Sequence, residues 1–151
     1  MLSPDGLTMA SNKVQIIQDW SESCKVKDIQ SFLGFTNFYR RFIYGYSRIT
    51  VPLTHLTRKG IPWHFTDECH STFNALKKAF TSAPVLTHCM PDIPITVKTD
   101  ASDYAPAAVL SVTTPSGKLH LVAFHSCTFH TLEHNYDVHN KELLAIYEAF
   151  K

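Results

Sequence analysis

Ile95-Thr96-Val97-Lys98-Thr99, Ala107 to Thr113 and Leu119 to Ser126 are the stretches on which the fold turns. Each is a run of strand length in which β-branched, aromatic or other apolar residues recur. The last two are separated by Thr114-Pro115-Ser116-Gly117, with Pro at the second and Gly at the fourth position of a tight turn. Three short strands joined this way read as an antiparallel meander. A helix follows: Asp137 can cap it, and Leu143, Ile146, Tyr147 and Phe150 are expected to form its core face. The C-terminal part is therefore a β-β-β-α unit.

Upstream the period changes from two to 3.6. Between Lys25 and Ile43, the apolar residues Ile29, Phe32, Leu33, Tyr39 and Ile43 share one helical face, while Lys25, Gln30, Asn37 and Arg41 share the other. Ser47 to Leu56 reads as a short helical or turn-rich connector, ended by the breaker Arg58-Lys59-Gly60-Ile61-Pro62. Thr66 can cap a second long helix, with Asp67 and Glu68 at its positive end, Cys69, Phe73, Leu76 and Phe80 as its buried stripe, and Lys77 and Lys78 in its last turn. Pro84, Pro91 and Pro94 mark the switch between the two regimes, which places a boundary near residue 90. The expected class is α+β, a helical segment followed by β-β-β-α.

Charge follows the same division. Residues 1–90 carry ten Lys or Arg against six acids, and residues 91–151 carry four against seven. The overall charge of +1 excludes the strongly basic signature of a self-sufficient nucleic-acid binder. No apolar run approaches the roughly 18 residues that cross a bilayer, and the N-terminus lacks a basic signal region, so an intracellular protein without a membrane partner is expected. Cys24, Cys69, Cys89 and Cys127 are too scattered for a zinc motif or a dense disulfide framework.

Three constellations carry potential chemistry. Asp100, at a strand end, and Glu142, near a helix start, are hard oxygen donors of the kind that hold Mg²⁺. Taken alone, the pair is more simply read as a solvated Asp and a Glu favoured by the helix dipole. His130-Thr131-Leu132-Glu133-His134 matches the pattern of inverted zinc peptidases, whose third ligand is missing here. Arg40-Arg41, Arg58-Lys59 and Lys77-Lys78, interleaved with Phe38, Tyr39, Phe42 and Trp63, suit phosphates and sugars, or equally a solvated face. No Gly-rich phosphate loop and no G-x-S-x-G elbow is present.

Ser31-Phe32-Leu33-Gly34-Phe35 with Phe38-Tyr39-Arg40-Arg41-Phe42-Ile43, then Pro52-Leu53-Thr54, Phe73 to Lys77, Ala83-Pro84-Val85-Leu86, Thr99 to Asp103 and Lys141 to Ile146 resemble, in order, the pol polyprotein of gypsy-type LTR retrotransposons. Asn135-Tyr136-Asp137-Val138-His139 is similar to fungal copies. The resemblance implies three parts: a remnant of the reverse transcriptase palm hairpin at 1–8, a thumb or connection region at 9–90, and the N-terminal part of a ribonuclease H domain at 91–151.

In such a frame Asp100 and Glu142 are the first two Mg²⁺-binding catalytic carboxylates, and Arg40, Arg41 and Lys59 contact the template-primer duplex or RNA-DNA hybrid. The polymerase Tyr-x-Asp-Asp motif would lie upstream of Met1, and the remaining ribonuclease H aspartates beyond Lys151. The intact family copies RNA into DNA and hydrolyses the RNA of hybrids. This chain alone is expected to be inactive, to expose a sheet edge and an apolar face, and to depend on the missing pol segments. A non-catalytic relic that binds nucleic acid is the alternative, and a zinc peptidase built on His130, Glu133 and His134 a lesser one.

Several positions depart from the family pattern. Ala105 and Ala107 stand where Gly is usual, which implies strain if the backbone there needs positive φ. Val112 replaces a common Gln, Ser21, Ser23 and Leu121 replace Pro, Cys127 replaces Arg, Lys98 replaces Glu, and Asn140 replaces Asp. The changes at 21, 23, 98, 121, 127 and 140 each need one transition in a codon, the pattern of a decaying copy.

Overall fold

The computed structural model describes residues 2–3, 6–22, 25–90 and 92–151. Met1, Pro4 and Asp5 of the expected palm remnant, Ser23, Cys24, and Pro91 at the expected boundary lie outside the described residues.

The chain opens with two short antiparallel strands, β1 (Leu2–Ser3) and β2 (Gly6–Leu7). Leu7 then bridges Leu86, with Leu7 N donating to Leu86 O at 2.6 Å and Leu86 N to Leu7 O at 2.9 Å. Gly6 makes this approach possible: its φ is +138°, and a Cβ there would collide with the Leu86 carbonyl oxygen. Gly6→Ala is therefore expected to cost about 1–3 kcal/mol through strain and clash. Urea unfolding would measure the loss, and hydrogen exchange would show Leu7 and Leu86 unprotected.

The helical half comprises α1 (Ser11–Asp19), α2 (Val26–Phe38), a 3-10 turn (Arg40–Phe42), α3 (Tyr46–Ile49), α4 (Val51–Leu56) and α5 (Asp67–Thr81). The helix expected over 25–43 breaks at Tyr39, yet its faces are as patterned: Ile29, Phe32 and Ile43 are buried, and Lys25, Gln30, Asn37 and Arg41 exposed. Thr66 caps α5 by accepting from Cys69 N at 3.4 Å, and Cys69, Phe73, Leu76 and Phe80 are buried as the spacing predicts. Phe32 centres this core, its ring 5.5 Å from that of Trp20 and 4.6 Å from that of Phe73. Buried hydroxyls satisfy one another: Thr36 Oγ1 and Tyr46 Oη are 2.8 Å apart. α1 has no counterpart among the elements expected from the sequence. Its end is held by Lys77, whose Nζ donates to the carbonyls of Gln18 and Trp20.

The second half is an antiparallel sheet of β3 (Ile95–Ala101), β4 (Pro106–Thr113) and β5 (Leu119–Ser126) in the order β3-β4-β5, followed by α6 (Val138–Ala149). Gly117 turns the β4-β5 hairpin at φ +76°. Asp137 caps α6, accepting from Asn140 N at 2.8 Å. The sheet docks on the helical half: Ser47 N donates to Ser126 Oγ at 3.0 Å in a buried contact, and Thr87 N donates to Leu121 O at 2.6 Å.

Two expectations are corrected. No described residue other than glycine has positive φ, so Ala105 and Ala107 carry no such strain; both are buried, where a small side chain lets the elements approach. The core face of α6 is also not the one expected. Leu143 (65% exposed), Ile146, Tyr147 (62%) and Phe150 point away from the sheet, and Ala145 (2%) is the buried residue. Physically, α6 packs across β3 and β4 through its small side, with Ala145 against the sheet and Lys141 Nζ 3.4 Å from Asp103 Oδ1. The longer apolar stripe lies half a turn away, and no described element covers it.

Candidate functional site

The pleat of the sheet decides what Asp100 can meet. Asp100, Ala107 and Ser126 are cross-strand neighbours on one face, as are Lys98, Val109 and Phe124. That face meets the helical half: Tyr44 Oη donates to Asp100 Oδ2 at 3.3 Å, and its ring stands edge-on to Phe124 at 5.7 Å. α6 lies on the other face, where Leu144 and Glu148 meet Pro106 and Cys127. Glu142 is half-buried on α6. The structure makes no direct contact between Asp100 and Glu142, and among the described residues no three His, Cys, Asp or Glu side chains group as metal ligands.

In kind, both carboxylates fit Mg²⁺. They are hard oxygen donors, neither is ion-paired to a described residue, and Asp100 Oδ1 takes no hydrogen bond from the described residues. In number they fall short of a two-ion site, which needs ligands around both ions.

The peptidase pattern is put to another use. Residues 131–132 form a turn and Glu133–Asn135 a 3-10 turn, so the one-turn α-helical spacing of two imidazoles is not formed. Glu133 Oε2 accepts from His130 N at 2.7 Å, a local cap, while His134 Nδ1 lies 3.4 Å from Asp103 O. Nearby, burial pushes the Cys127 thiol pKa up, and Glu148 and Glu133 push it further, so this sulfur is not an activated nucleophile.

The cationic residues separate. Arg40 and Arg41 are adjacent and exposed on the 3-10 turn, with the Arg41 guanidinium 5.5 Å from the Phe42 ring centre. Lys59 is exposed on the turn after α4. Arg40 edges a groove of about 570 Å³ lined by Gly34 and Asn37 of α2, by hydroxyls of Ser47, Thr50, Thr54 and Thr128, and by His130. No acidic residue lines it.

Gly34 gains a meaning here that spacing alone did not provide, and Phe38, already singled out beside the arginines, gains a place. Gly34 lies inside α2, where glycine costs about 1 kcal/mol relative to alanine. A Cβ at Gly34 would meet no atom within 4 Å, so packing within the chain does not require it. Phe38, at the end of the same helix, is 79% exposed. A glycine interrupting a helical pattern, close to an aromatic and two arginines, was the available signal.

Comparison with known proteins shows the family of the chain. Residues 65–151 match the family described as RNase H-like domain found in reverse transcriptase. The Tf2-3 and Tf2-7 transposon polyproteins of Schizosaccharomyces pombe (strain 972 / ATCC 24843) are each 33% identical over 150 residues, covering 99% of this chain and 11% of theirs. The chain thus spans about a tenth of the length of these relatives.

Among solved structures, the foamy viral protease-reverse transcriptase dRH in complex with double-stranded DNA superposes with a TM-score of 0.82 at 26% identity, over 96% of this chain and 25% of that one. The foamy viral protease-reverse transcriptase in complex with RNA/DNA hybrid gives 0.79 at 27% identity, over 96% of this chain and 20% of that one. The similarity to retrotransposon polyproteins and the α+β class are as the motifs implied, and no described helix is long and apolar enough to cross a membrane. The chain belongs to the family of RNase H-like domains found in reverse transcriptases.

Proposed function

We propose that this chain is a nucleic-acid-gripping segment of a retrotransposon reverse transcriptase/ribonuclease H, and that its ligand is an RNA-DNA hybrid or template-primer duplex. The observation that carries this reading is the acid-free groove beside Arg40, lined by Gly34 and Asn37 of α2, with Phe38 exposed at the end of the same helix. In this reading residues 1–8 are a remnant of the palm hairpin, 9–90 the thumb or connection region, and 91–151 the N-terminal part of the ribonuclease H domain. Arg40, Arg41 and Lys59 neutralise phosphates, and the hydroxyls and Asn37 of the groove hydrogen-bond along the backbone.

By the resemblance Asp100 and Glu142 would be the ligands of a Mg²⁺ ion that would activate water and stabilise a departing oxygen in phosphodiester hydrolysis, but here Asp100 faces the helices while α6, which carries Glu142, covers the opposite face of the sheet. With two carboxylates and no third ligand grouped among the described residues, the 151-residue chain is expected to bind hybrid without cleaving it. That shortage is the observation favouring a non-catalytic binder as the second reading.

Fluorescence anisotropy with a labelled RNA-DNA hybrid, over a range of salt, tests the proposal. The double substitution Arg40→Ala and Arg41→Ala is expected to weaken binding and to reduce the magnitude of the log-log salt slope by about 1.8 on a B-DNA scale, about 0.9 for each phosphate that an arginine neutralises. Gly34→Leu should fill the groove and weaken binding while the fold persists; Asp100→Asn should leave hybrid affinity unchanged. Affinity independent of salt and of both arginines would overturn the reading.

A further inference from the structure

We infer that His130 is a further nucleic-acid-binding residue, so that a backbone phosphate in the groove beside Arg40 is gripped from both halves of the chain. The Arg40 guanidinium acts from the helical half, and the His130 imidazolium from the segment that follows β5. This rests on the proposed role of that groove, and it adds a binding group that gains its charge only on acidification.

The groove of about 570 Å³ lies where the two halves meet. Arg40 and Asn37 line it from the helices, and Thr128 and His130, both exposed, line it from the segment that leaves the sheet. That segment has a fixed backbone. Cys127 N donates to Pro106 O and Phe129 N to Tyr104 O, each at 3.3 Å, the Phe129 ring is buried, and His130 N donates to Glu133 Oε2 at 2.7 Å. The His130 main chain is therefore held on both sides, while its ring makes no hydrogen bond to a described residue.

The charges around this segment offset one another. Arg40 comes from the helical half, Glu133 from the turn that carries His130, and Glu148 and Lys151 from α6 and the residue beyond it. The Cys127 thiol, pushed up by burial, adds no charge at neutral pH. Against two cations and two carboxylates, an incoming phosphate tips the balance toward the protonated ring, because a nearby opposite charge favours the charged form. The imidazolium then donates to the phosphate and neutralises it, as an arginine would.

The test is fluorescence anisotropy of the 151-residue chain on a labelled RNA-DNA hybrid at about pH 5.5 and about pH 8, either side of the range in which imidazole changes charge. The wild type should bind more tightly at the lower pH. His130→Gln should remove about fivefold of that gain, the upper worth of an exposed ion pair, and reduce the magnitude of the low-pH salt slope by about 0.9 on a B-DNA scale. His134→Gln should leave the gain intact, because Nδ1 of that ring lies by Asp103 O. His130→Lys, a cation at both pH values, should raise affinity at the higher pH by about fivefold, which a merely structural role would not predict. That gain also decides the matter should His130→Gln fold poorly. If the arginines matter but neither substitution at 130 alters the pH dependence, or His134→Gln removes as much of it, the inference alone is overturned. If affinity is independent of salt and of both arginines, the groove reading falls and takes the inference with it.

Discussion

Phe32→Ala is expected to unfold the helical half of the chain, while Phe38→Ala, on the same helix, should leave stability within about 0.5 kcal/mol of the parent. The two positions carry the same side chain in opposite surroundings. Phe32 is fully buried between Trp20 and Phe73, so truncation removes the transfer free energy of the ring and leaves a cavity, together about 3–5 kcal/mol. Against a typical total of about 5–15 kcal/mol for a domain, that loss is large. Phe38 has 79% of its surface in water, and folding gains little from it beyond an edge contact with Tyr39. Its expected loss lies in binding instead: an aromatic presented to nucleic acid is worth about 1–3 kcal/mol per stacked base, roughly a tenfold or greater change in hybrid affinity. Urea denaturation and anisotropy on the same two variants separate the effects. Equal destabilisation by both would mean that Phe38 packs inside, and the interface proposed around Arg40 would lose its aromatic element.

Elements with strong local signals are legible in the sequence itself. The 3.6-residue stripe of α5, its Thr66 cap, the Pro-Ser-Gly turn and the Asp137 cap depend on neighbours along the chain, and they fold as their spacing dictates. α1 is not legible, because it buries only Ile17, has no side-chain cap, and owes its end to Lys77, 59 residues beyond Gln18. The reach of Tyr44 to Asp100 and the pairing of Ser47 with Ser126 are invisible for the same reason: each joins side chains that only the docked halves bring together. Asp100 and Glu142 can be singled out as candidates by residue type and place, but not as neighbours, since the pleat of β3 turns Asp100 toward the helices while α6 covers the opposite face. His130 to His134 shows the converse. A pattern of ligand-type residues becomes a capped turn because the chain there is not α-helical.

α6 offers the sharper trial, because its pattern and its packing disagree. By pattern, Leu143, Ile146, Tyr147 and Phe150 should be core, and charging them should destroy the fold. By structure, Leu143→Glu with Tyr147→Lys should be tolerated: both sites are about two-thirds exposed, and the new pair stands at i, i+4 in the favourable order. The same change should lower aggregation, since it breaks up an uncovered apolar stripe. Ala145→Glu should do the reverse. Ala145 is 2% exposed where α6 meets the sheet, so a larger side chain overpacks the contact, at about 1–3 kcal/mol. Its carboxylate would also be desolvated without an assigned partner, beside the half-buried Glu142 and Glu148 of its own helix. The expected result is α6 detached from β3 and β4, seen as lost amide protection over 138–149 with the helical half still protected. The opposite pair of outcomes, a tolerated Ala145→Glu and an unfolded double variant, would mean that α6 is rolled by half a turn, with its apolar stripe on the sheet. Glu142 would then move with the helix, and its place relative to Asp100 would have to be rebuilt from that packing.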